Sequence, residues 1–162
     1  MTLNDRPYAL LALLTLLLSA CHSPAPKPAA PVTDACELLT PAEIGGVLGV
    51  SIDPGRHIPA SSKVMCGWTQ TGQTGEAATK LMLNFANPSY FQKEKTASGN
   101  VTVTPVSGIG DEAFYVTSEF GTSLFVRKGD TAIGFTIRDK SLPKNDVMAK
   151  ERELGLKAAQ RL

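Results

Sequence analysis

The sequence predicts an α+β fold in which a mainly antiparallel sheet is covered by helices. Helical and strand patterns follow one another in the order helix, strands, short helix, strands, hairpin, long helix. The clearest local signal is the hairpin, and the longest amphipathic stretch is 143–162. Segregation of this kind is typical of helices packed on an antiparallel sheet, whereas alternating β–α–β units would indicate a parallel one.

A capped helix is predicted over 41–48. Thr40 and Glu43 have the spacing of a capping box, and Pro41 takes the first helical position, where a missing N–H costs nothing. Gly49 can end the helix in a left-handed conformation. Its expected apolar face consists of Ile44, Val47 and Leu48.

Two segments with a period of two predict strands. Alternation in the first, 64–69, directs three side chains to one side: Val64, Cys66 and Trp68. Alternation in the second, 80–86, does the same for Leu81, Leu83 and Phe85. The segment between them is rich in glycine and polar residues and is expected to be a loop.

A second short helix is predicted over 88–95, with Asn87 as its N-cap. Strands are expected to follow at 101–106 and 112–118. Pro105 cannot donate a hydrogen bond to a neighbouring strand, so we expect the first of these strands at an edge of the sheet.

The hairpin is predicted from a two-residue turn, Gly129-Asp130. That turn pairs Arg127 with Ala132 and directs one apolar set to the same face: Leu124, Val126, Ile133, Phe135 and Ile137. A register shifted by one residue would scatter this set. The last helix is expected to start near Pro143 and to cover the sheet with a stripe formed by Val147, Leu154, Ala158 and Leu162.

A short apolar run, Ala9 to Leu18, precedes the foldable part. As a helix it would span about 15 Å, roughly half of a bilayer core, which is typical of a signal peptide. The run ends in Leu18-Ser19-Ala20-Cys21, which resembles the lipobox of bacterial lipoproteins. The resemblance implies a signal peptide at 1–20 and a lipid on Cys21, whereas an uncleaved anchor or an ordinary signal peptide is the alternative.

Residues 21–33 are rich in proline and alanine and predict an extended tether, which leaves 34–162 as one globular domain. The lipoprotein resemblance implies a cell-envelope location with the membrane as one partner. Because His22, and not an aspartate, follows the cysteine, the resemblance favours anchoring in the outer membrane, facing the periplasm, over the inner membrane. The net charge of +1 gives no electrostatic reason to expect nucleic acid as a partner.

With Cys21 lipidated, Cys36 and Cys66 remain as an even pair in an oxidising compartment, which predicts one disulfide. Two buried free thiols or a redox pair are the alternative, although the C-x-x-C spacing of redox sites is absent.

Several motifs together resemble small bacterial lipoproteins classed as domains of unknown function. The motifs are CELLTPAEIGGVLG, CGW, GIGDEAFY and LFVRKGDTAIGFTI, and the resemblance covers Ala35 to Leu162. Related families have a PsbP-like α/β/α sandwich fold, so the resemblance implies that fold and an accessory role. It also implies cysteines at the positions of Cys36 and Cys66, and it supplies no catalytic residues.

Two groups of residues are candidates for binding. Asp111 and Glu112, in the loop GIGDEA, could hold a cation, although a structural turn entering a strand explains the same motif. Trp68, Tyr90 and Phe91 could line a pocket or a partner surface, since aromatic side chains supply much interface energy. A core position for Trp68 is the competing interpretation, and adjacent positions on one helix prevent Tyr90 and Phe91 from both pointing inward.

No catalytic motif is evident, and we predict no cofactor and no metal site. His57 lies in a polar loop without partners at ligand or relay spacing, so it is interpreted as a surface residue. The sequence therefore predicts a non-catalytic binding or accessory domain on a lipid anchor. Its expected partner is another envelope protein, with an inhibitor or immunity role as the sharpest version. The alternative is a periplasmic carrier of a small ligand or lipid.

Overall fold

The structure is a computed structural model, and it describes residues 32–75 and 79–162. These ranges contain the following helices: Ala35–Glu37 (one turn of 3₁₀ helix), Pro41–Leu48 (α1), Pro88–Lys95 (α2) and Lys144–Ala159 (α3). They contain the following strands: Arg56–His57 (β1), Met65–Thr69 (β2), Lys80–Ala86 (β3), Thr102–Val106 (β4), Glu112–Ser118 (β5), Gly121–Lys128 (β6) and Thr131–Arg138 (β7).

The strands form one seven-stranded sheet in the order β1-β2-β3-β7-β6-β5-β4, and all neighbours are antiparallel. The chain leaves the middle of the sheet after β3, passes through α2, and returns at the far edge as β4. Pro105 lies in that edge strand, as predicted, where its missing N–H interrupts no inner ladder. The α+β prediction is confirmed.

The hairpin register predicted from the Gly129-Asp130 turn is also confirmed. Arg127 lies opposite Ala132, and the expected apolar set faces one side of the sheet. Helix α1 has the predicted capping box, in which the Thr40 hydroxyl accepts from the Glu43 N–H and the Glu43 carboxylate accepts from the Thr40 N–H. Gly49 ends α1 with a φ of 79°, the left-handed conformation that glycine adopts without strain.

The two faces of the sheet bury different cores. The face that carries α1, α3 and the 3₁₀ helix, here called the α3 face, holds the large core that includes Trp68, Leu124 and Phe135. The opposite α2 face holds a smaller cluster of Ala86, Phe91, Phe114, Phe125 and Ala132. Strand alternation produces this division, because neighbouring residues such as Phe114 and Tyr115 point to opposite faces.

Long basic side chains fasten the helices of the α3 face. The Arg161 guanidinium donates to both Glu43 carboxylate oxygens and to the Leu38 carbonyl, and Lys150 donates to the Val47 carbonyl at the end of α1. The ion pair with Arg161 lowers the pKa of Glu43 to about 2. Lys150 within α3 and Arg161 just after it therefore hold α1 and the segment before it in place across more than 100 residues of sequence.

Cys36 and Cys66 form the predicted disulfide, with Cα atoms 5.1 Å apart. It joins the 3₁₀ helix to β2, and the segment 51–58 runs along the outer edge of β2. Gly55 packs directly on the disulfide, since a Cβ there would lie 2.7 Å from Cys66 Sγ and 2.6 Å from Trp68 Nε1. Only glycine fits between the loop and these two side chains.

Three details differ from the sequence predictions. Val64 precedes β2 and is 53% exposed, because the strand pairing with β3 begins one residue later. Strand β6 begins at Gly121, so a second tight turn, Glu119-Phe120, joins it to β5. Leu162 lies beyond the end of α3, although its side chain still packs against the core.

The predicted signal peptide 1–20, Cys21 and the tether up to residue 31 lie outside the described residues. Within 32–75 and 79–162, no helix has both the length and the apolar character needed to cross a membrane.

Candidate functional site

The GIGDEA loop is fastened to the β6–β7 turn. Asp111 Oδ2 accepts a hydrogen bond of 2.7 Å from the Gly129 N–H, and the Asp111 N–H donates to the Arg127 carbonyl. Gly110 has a φ of 57° and approaches so closely that a Cβ would lie 2.4 Å from the Arg127 carbonyl oxygen. Asp111 thus supplies a turn contact, and its carboxylate already has a backbone donor.

Glu112 also has partners within the protein. Its carboxylate binds Lys95, at the end of α2, and accepts from Arg127 on the neighbouring strand. Hydrogen bonding to Lys95, followed by that to Arg127, lowers the pKa of Glu112 despite its partial burial. The two acids named from sequence therefore lie side by side at one end of the sheet, each holding a neighbouring segment.

The three aromatic candidates lie in three different environments. Trp68 is buried in the core of the α3 face, beside the disulfide. Phe91 is buried on the α2 face against Phe114, with ring centroids 4.9 Å apart. Tyr90 is 40% exposed and its ring centroid lies 6.0 Å from that of Phe125. Partial burial, with the nearby charge of Glu94, raises the pKa of Tyr90.

An exposed aromatic residue and a cleft lie at the other end of the sheet, around the β5–β6 turn. Phe120, at the tip of that turn, is 90% exposed. Beside it opens a cleft of about 530 Å³ between the turn, the end of β7 and the start of α3. The cleft is lined by Glu119, Phe120, Gly121, Thr122, Thr136, Ile137, Arg138, Asp139, Lys140, Leu142, Lys144 and Val147.

The cleft has an apolar floor and a charged rim. Ile137 and Val147 are buried beneath it, whereas Arg138 and Lys144 are exposed at its edge. Asp139 is engaged by the hydroxyls of Thr79 and Ser141. Burial alone would raise the pKa of Asp139, but these hydrogen bonds outweigh it and lower the pKa, so the group stays ionised.

A buried acid lies behind the cleft wall. Glu151, on α3, has no solvent exposure and accepts hydrogen bonds from the Thr122 hydroxyl and the Ile137 N–H, two residues that line the cleft. Burial raises the pKa of Glu151 to about 7, and these two hydrogen bonds offset only part of that effect. Sequence reasoning missed Glu151, although it stands four residues after Val147 on the apolar stripe.

A second polar group surrounds the disulfide. His57 Nε2 lies 2.8 Å from Asp34 Oδ1, and Asp34 Oδ1 also accepts from the Cys36 N–H. The hydrogen bond with His57 is the largest cause of the lowered pKa of Asp34, which is buried. The prediction that His57 has no partner is wrong, because β1 pairing brings its ring to Asp34, although its side chain remains 30% exposed.

Comparison with known proteins adds no relative. No protein-family model matches the chain, and neither curated proteins nor solved structures contain a significant match to it.

Proposed function

We propose that this protein is a lipid-anchored envelope lipoprotein whose domain binds another envelope protein through the open end of its sheet. We use the name open end for the β5–β6 turn, the cleft beside it and the start of α3. The observation that carries the proposal is the exposure of Phe120 on a two-residue turn, next to a cleft with an apolar floor.

Phe120 has the properties of an interface anchor. Aromatic residues dominate binding energy at protein interfaces, and burying a phenylalanine contributes about 1.5–3 kcal/mol. Ser118 and Gly121 pair across the turn, which limits the ordering cost of binding. The cleft lining contains three basic residues and two acidic ones, and this small positive excess favours a partner surface that combines an apolar side chain with acidic groups.

The anchor part of the proposal rests on the Leu18-Ser19-Ala20-Cys21 motif. Lipid on Cys21 and the proline-rich segment after it would place the domain at a membrane surface, with the outer membrane favoured by His22. We also propose the finer fold assignment, a PsbP-like α/β/α sandwich, which is supported by helices on both faces of an antiparallel sheet. We infer a non-catalytic role, and an inhibitor or immunity function is its sharpest version.

Site-specific photo-crosslinking in the source cells tests the partner. A photoreactive residue is placed at Phe120 in the full lipidated chain, and a matched one at Leu156, an exposed apolar position on α3. We expect one dominant protein adduct from position 120 that is absent from position 156. The adduct should be lost in an Arg138→Glu background and retained with Asp146→Asn. Equal adducts from both positions, or none from position 120, would contradict the proposal.

A carrier function is the second candidate, since a cleft of about 530 Å³ lies within the range of small-ligand sites. Native mass spectrometry of the full chain, purified from its source in mild detergent, distinguishes the two. A bound small molecule that is lost in Val147→Trp, a change that fills the floor, would favour the carrier.

A further inference from the structure

The disulfide lies in a corner that contains two additional metal-binding side chains. One carboxylate oxygen of Asp34, the Sγ of Cys36 and one ring nitrogen of His57 all lie within 4.8 Å of one another. Cys66 Sγ is bonded to Cys36 Sγ and lies beside this group, outside the set of atoms that are all within 4.8 Å of one another. One sulfur, one imidazole and one carboxylate thus lie together, with a second sulfur adjacent.

Backbone structure positions each of the four. Asp34 is the N-cap of the 3₁₀ helix that carries Cys36, and its carboxylate accepts from the Cys36 N–H. His57 and Cys66 lie directly opposite each other in the β1–β2 pair, so their side chains point to the same face. The arrangement is therefore maintained by pairing and capping and does not depend on the disulfide alone.

The disulfide state determines what this corner can bind. While the sulfurs are bonded to each other, neither offers a thiolate, and the Asp34–His57 pair only fastens the segment 51–58 to the 3₁₀ helix. After reduction, two thiols face one imidazole and one carboxylate. Zinc takes four ligands of these types at about 2.0–2.3 Å, which places neighbouring ligand atoms about 3.3–3.8 Å apart in a tetrahedron. To reach this spacing, the separations of up to 4.8 Å among Asp34, Cys36 and His57 contract by about 1 Å, and the 2.8 Å between His57 and Asp34 widens slightly. The Cys66 side chain, released from its bond to Cys36, turns toward the other three.

We propose that reduction of the Cys36–Cys66 disulfide creates a zinc site whose ligands are Cys36, Cys66, His57 and Asp34. A dithiol reductant supplies two electrons and two protons, the S–S bond breaks, and the reductant closes into its own disulfide. Zinc then displaces the two thiol protons to solvent as the thiolates bind. Lys63, whose Nζ lies 3.4 Å from Asp34 Oδ2 and whose side chain is mostly exposed, moves into solvent. This inference does not depend on the proposed partner site.

The test uses the full chain with Cys21→Ser in detergent, so that Cys36 and Cys66 are the only thiols. The protein is reduced with an excess of dithiol, the reductant is removed without oxygen, and Zn²⁺ alone is added. We expect one zinc per reduced chain and none per oxidised chain, measured by elemental analysis after dialysis. With Co²⁺ in place of zinc, the absorption spectrum should show thiolate-to-metal charge transfer and tetrahedral d–d bands.

Substitutions separate a designed site from two thiols that capture any metal. His57→Gln and Asp34→Asn should each weaken zinc binding at least about tenfold in competition with a chromogenic chelator, because each removes one ligand. Asparagine remains a good N-cap, so the second change preserves the 3₁₀ helix. Asp53→Asn, an acid of the same segment outside the group, is the matched control and should bind like the parent protein.

Three results would overturn the inference. One is reduced protein that retains no more zinc than oxidised protein, and another is equal affinity in the His57→Gln and Asp34→Asn variants. The third concerns folding. Trp68 is the single tryptophan and lies against the disulfide, so its emission reports the state of this corner. If reduction unfolds the protein and zinc does not restore its emission and circular dichroism, the four residues do not form the site.

Discussion

A similar tight turn lies at each end of the sheet, but the two turns differ in how many side chains hold them in place. The β6–β7 turn is fastened by Asp111, by Arg127 at the Gly129 carbonyl, and by the neighbouring Lys128 at the end of α3. The β5–β6 turn has one side-chain hydrogen bond of its own in the described structure, in which the Phe120 N–H donates to the Ser118 hydroxyl. We call the end of the sheet that contains the β6–β7 turn the fastened end.

The acids at the fastened end stabilise the fold, whereas the open end has surface that is available for binding. At the fastened end, Asp111 and Glu112 are engaged with backbone or basic groups, and α2 covers the sheet. At the open end, an aromatic side chain protrudes beside an apolar floor. A turn that is conspicuous in sequence is therefore a structural contact, and the inconspicuous Glu119-Phe120 turn is the candidate for recognition.

The largest effect is expected at the fastened end, in the aromatic cluster under α2. Phe91→Ala should lower the free energy of unfolding by about 3–5 kcal/mol, because it opens a cavity against Phe114 and Phe125. Urea denaturation measures the change. Tyr90→Ala is the control on the same helix, and since that ring is partly exposed, its cost should be clearly smaller. Equal costs would show that α2 contributes no buried core.

A stability change that depends on pH is expected behind the open end. The folded pKa of Glu151, about 7, exceeds its ordinary value of 4.5, so the protonated form is favoured in the folded state. The stabilisation that comes from binding a proton to Glu151 in the folded state is complete below pH 4.5 and is lost as the pH rises through 7. Glu151→Gln should therefore stabilise the protein by on the order of 3 kcal/mol at pH 8 and have little effect at pH 4.

Thermal or urea unfolding at several pH values measures this difference. Glutamine can keep both hydrogen bonds by accepting from the Ile137 N–H and donating to the Thr122 hydroxyl. Glu153→Gln, a neighbouring change on α3 at a more exposed position, is the control and should leave the profile unchanged. A parallel shift of the Glu151→Gln protein at every pH would contradict the assignment.

A smaller effect is expected for the loop contact at the fastened end. Asp111→Ala should cost about 1 kcal/mol, since the contact from Gly129 is charge-assisted but exposed to water. Asp111→Asn keeps an acceptor and should cost less. Asp130→Ala, in the same turn, should change stability by less than about 0.5 kcal/mol. An equal loss of unfolding free energy in Asp130→Ala and Asp111→Ala would show that the Asp111 contact does not hold the turn.

The smallest stability effect should come from the open end itself. Phe120→Ser should leave the free energy of unfolding within about 0.5 kcal/mol of the parent, because the side chain packs on little of its own domain. The same change should abolish the proposed partner adduct, measured by a photoreactive residue placed at Glu119, which also lines the cleft. Strong destabilisation would show that Phe120 belongs to the fold and not to a recognition surface.

Local chemistry explains how much of the fold could be predicted. The capping box of α1 and the Gly129-Asp130 turn each depend on residues a few positions apart, so their bounds and register follow from the sequence. The order of strands does not, because the passage from β3 to the far edge depends on how α2 packs across the sheet. Trp68 and Phe91 are buried for the same reason that any large apolar side chain is.

The polar groups could not be predicted because their partners are distant in sequence. His57 and Asp34 are 23 residues apart, and they meet only when β1 pairs with β2 and the 3₁₀ helix docks. Glu151 is 29 residues from Thr122. A charged residue on an otherwise apolar helical stripe was the one available sign of Glu151, and it indicates a buried acid only when the facing strand offers donors.

The way the chain enters the domain gives the molecule a direction. The Ala35 N–H donates to the carbonyl of Lys63, which lies just before β2. On the neighbouring strands β3 and β7, the residues opposite this point are Ala86 and Ala132, next to the β6–β7 turn. The eight residues of strand β6 span the distance between the β6–β7 turn and the open end, about 25 Å. Ala35 and Phe120 therefore lie at opposite ends of the sheet, so a partner bound at Phe120, as proposed, would not obstruct the point where the chain enters the domain.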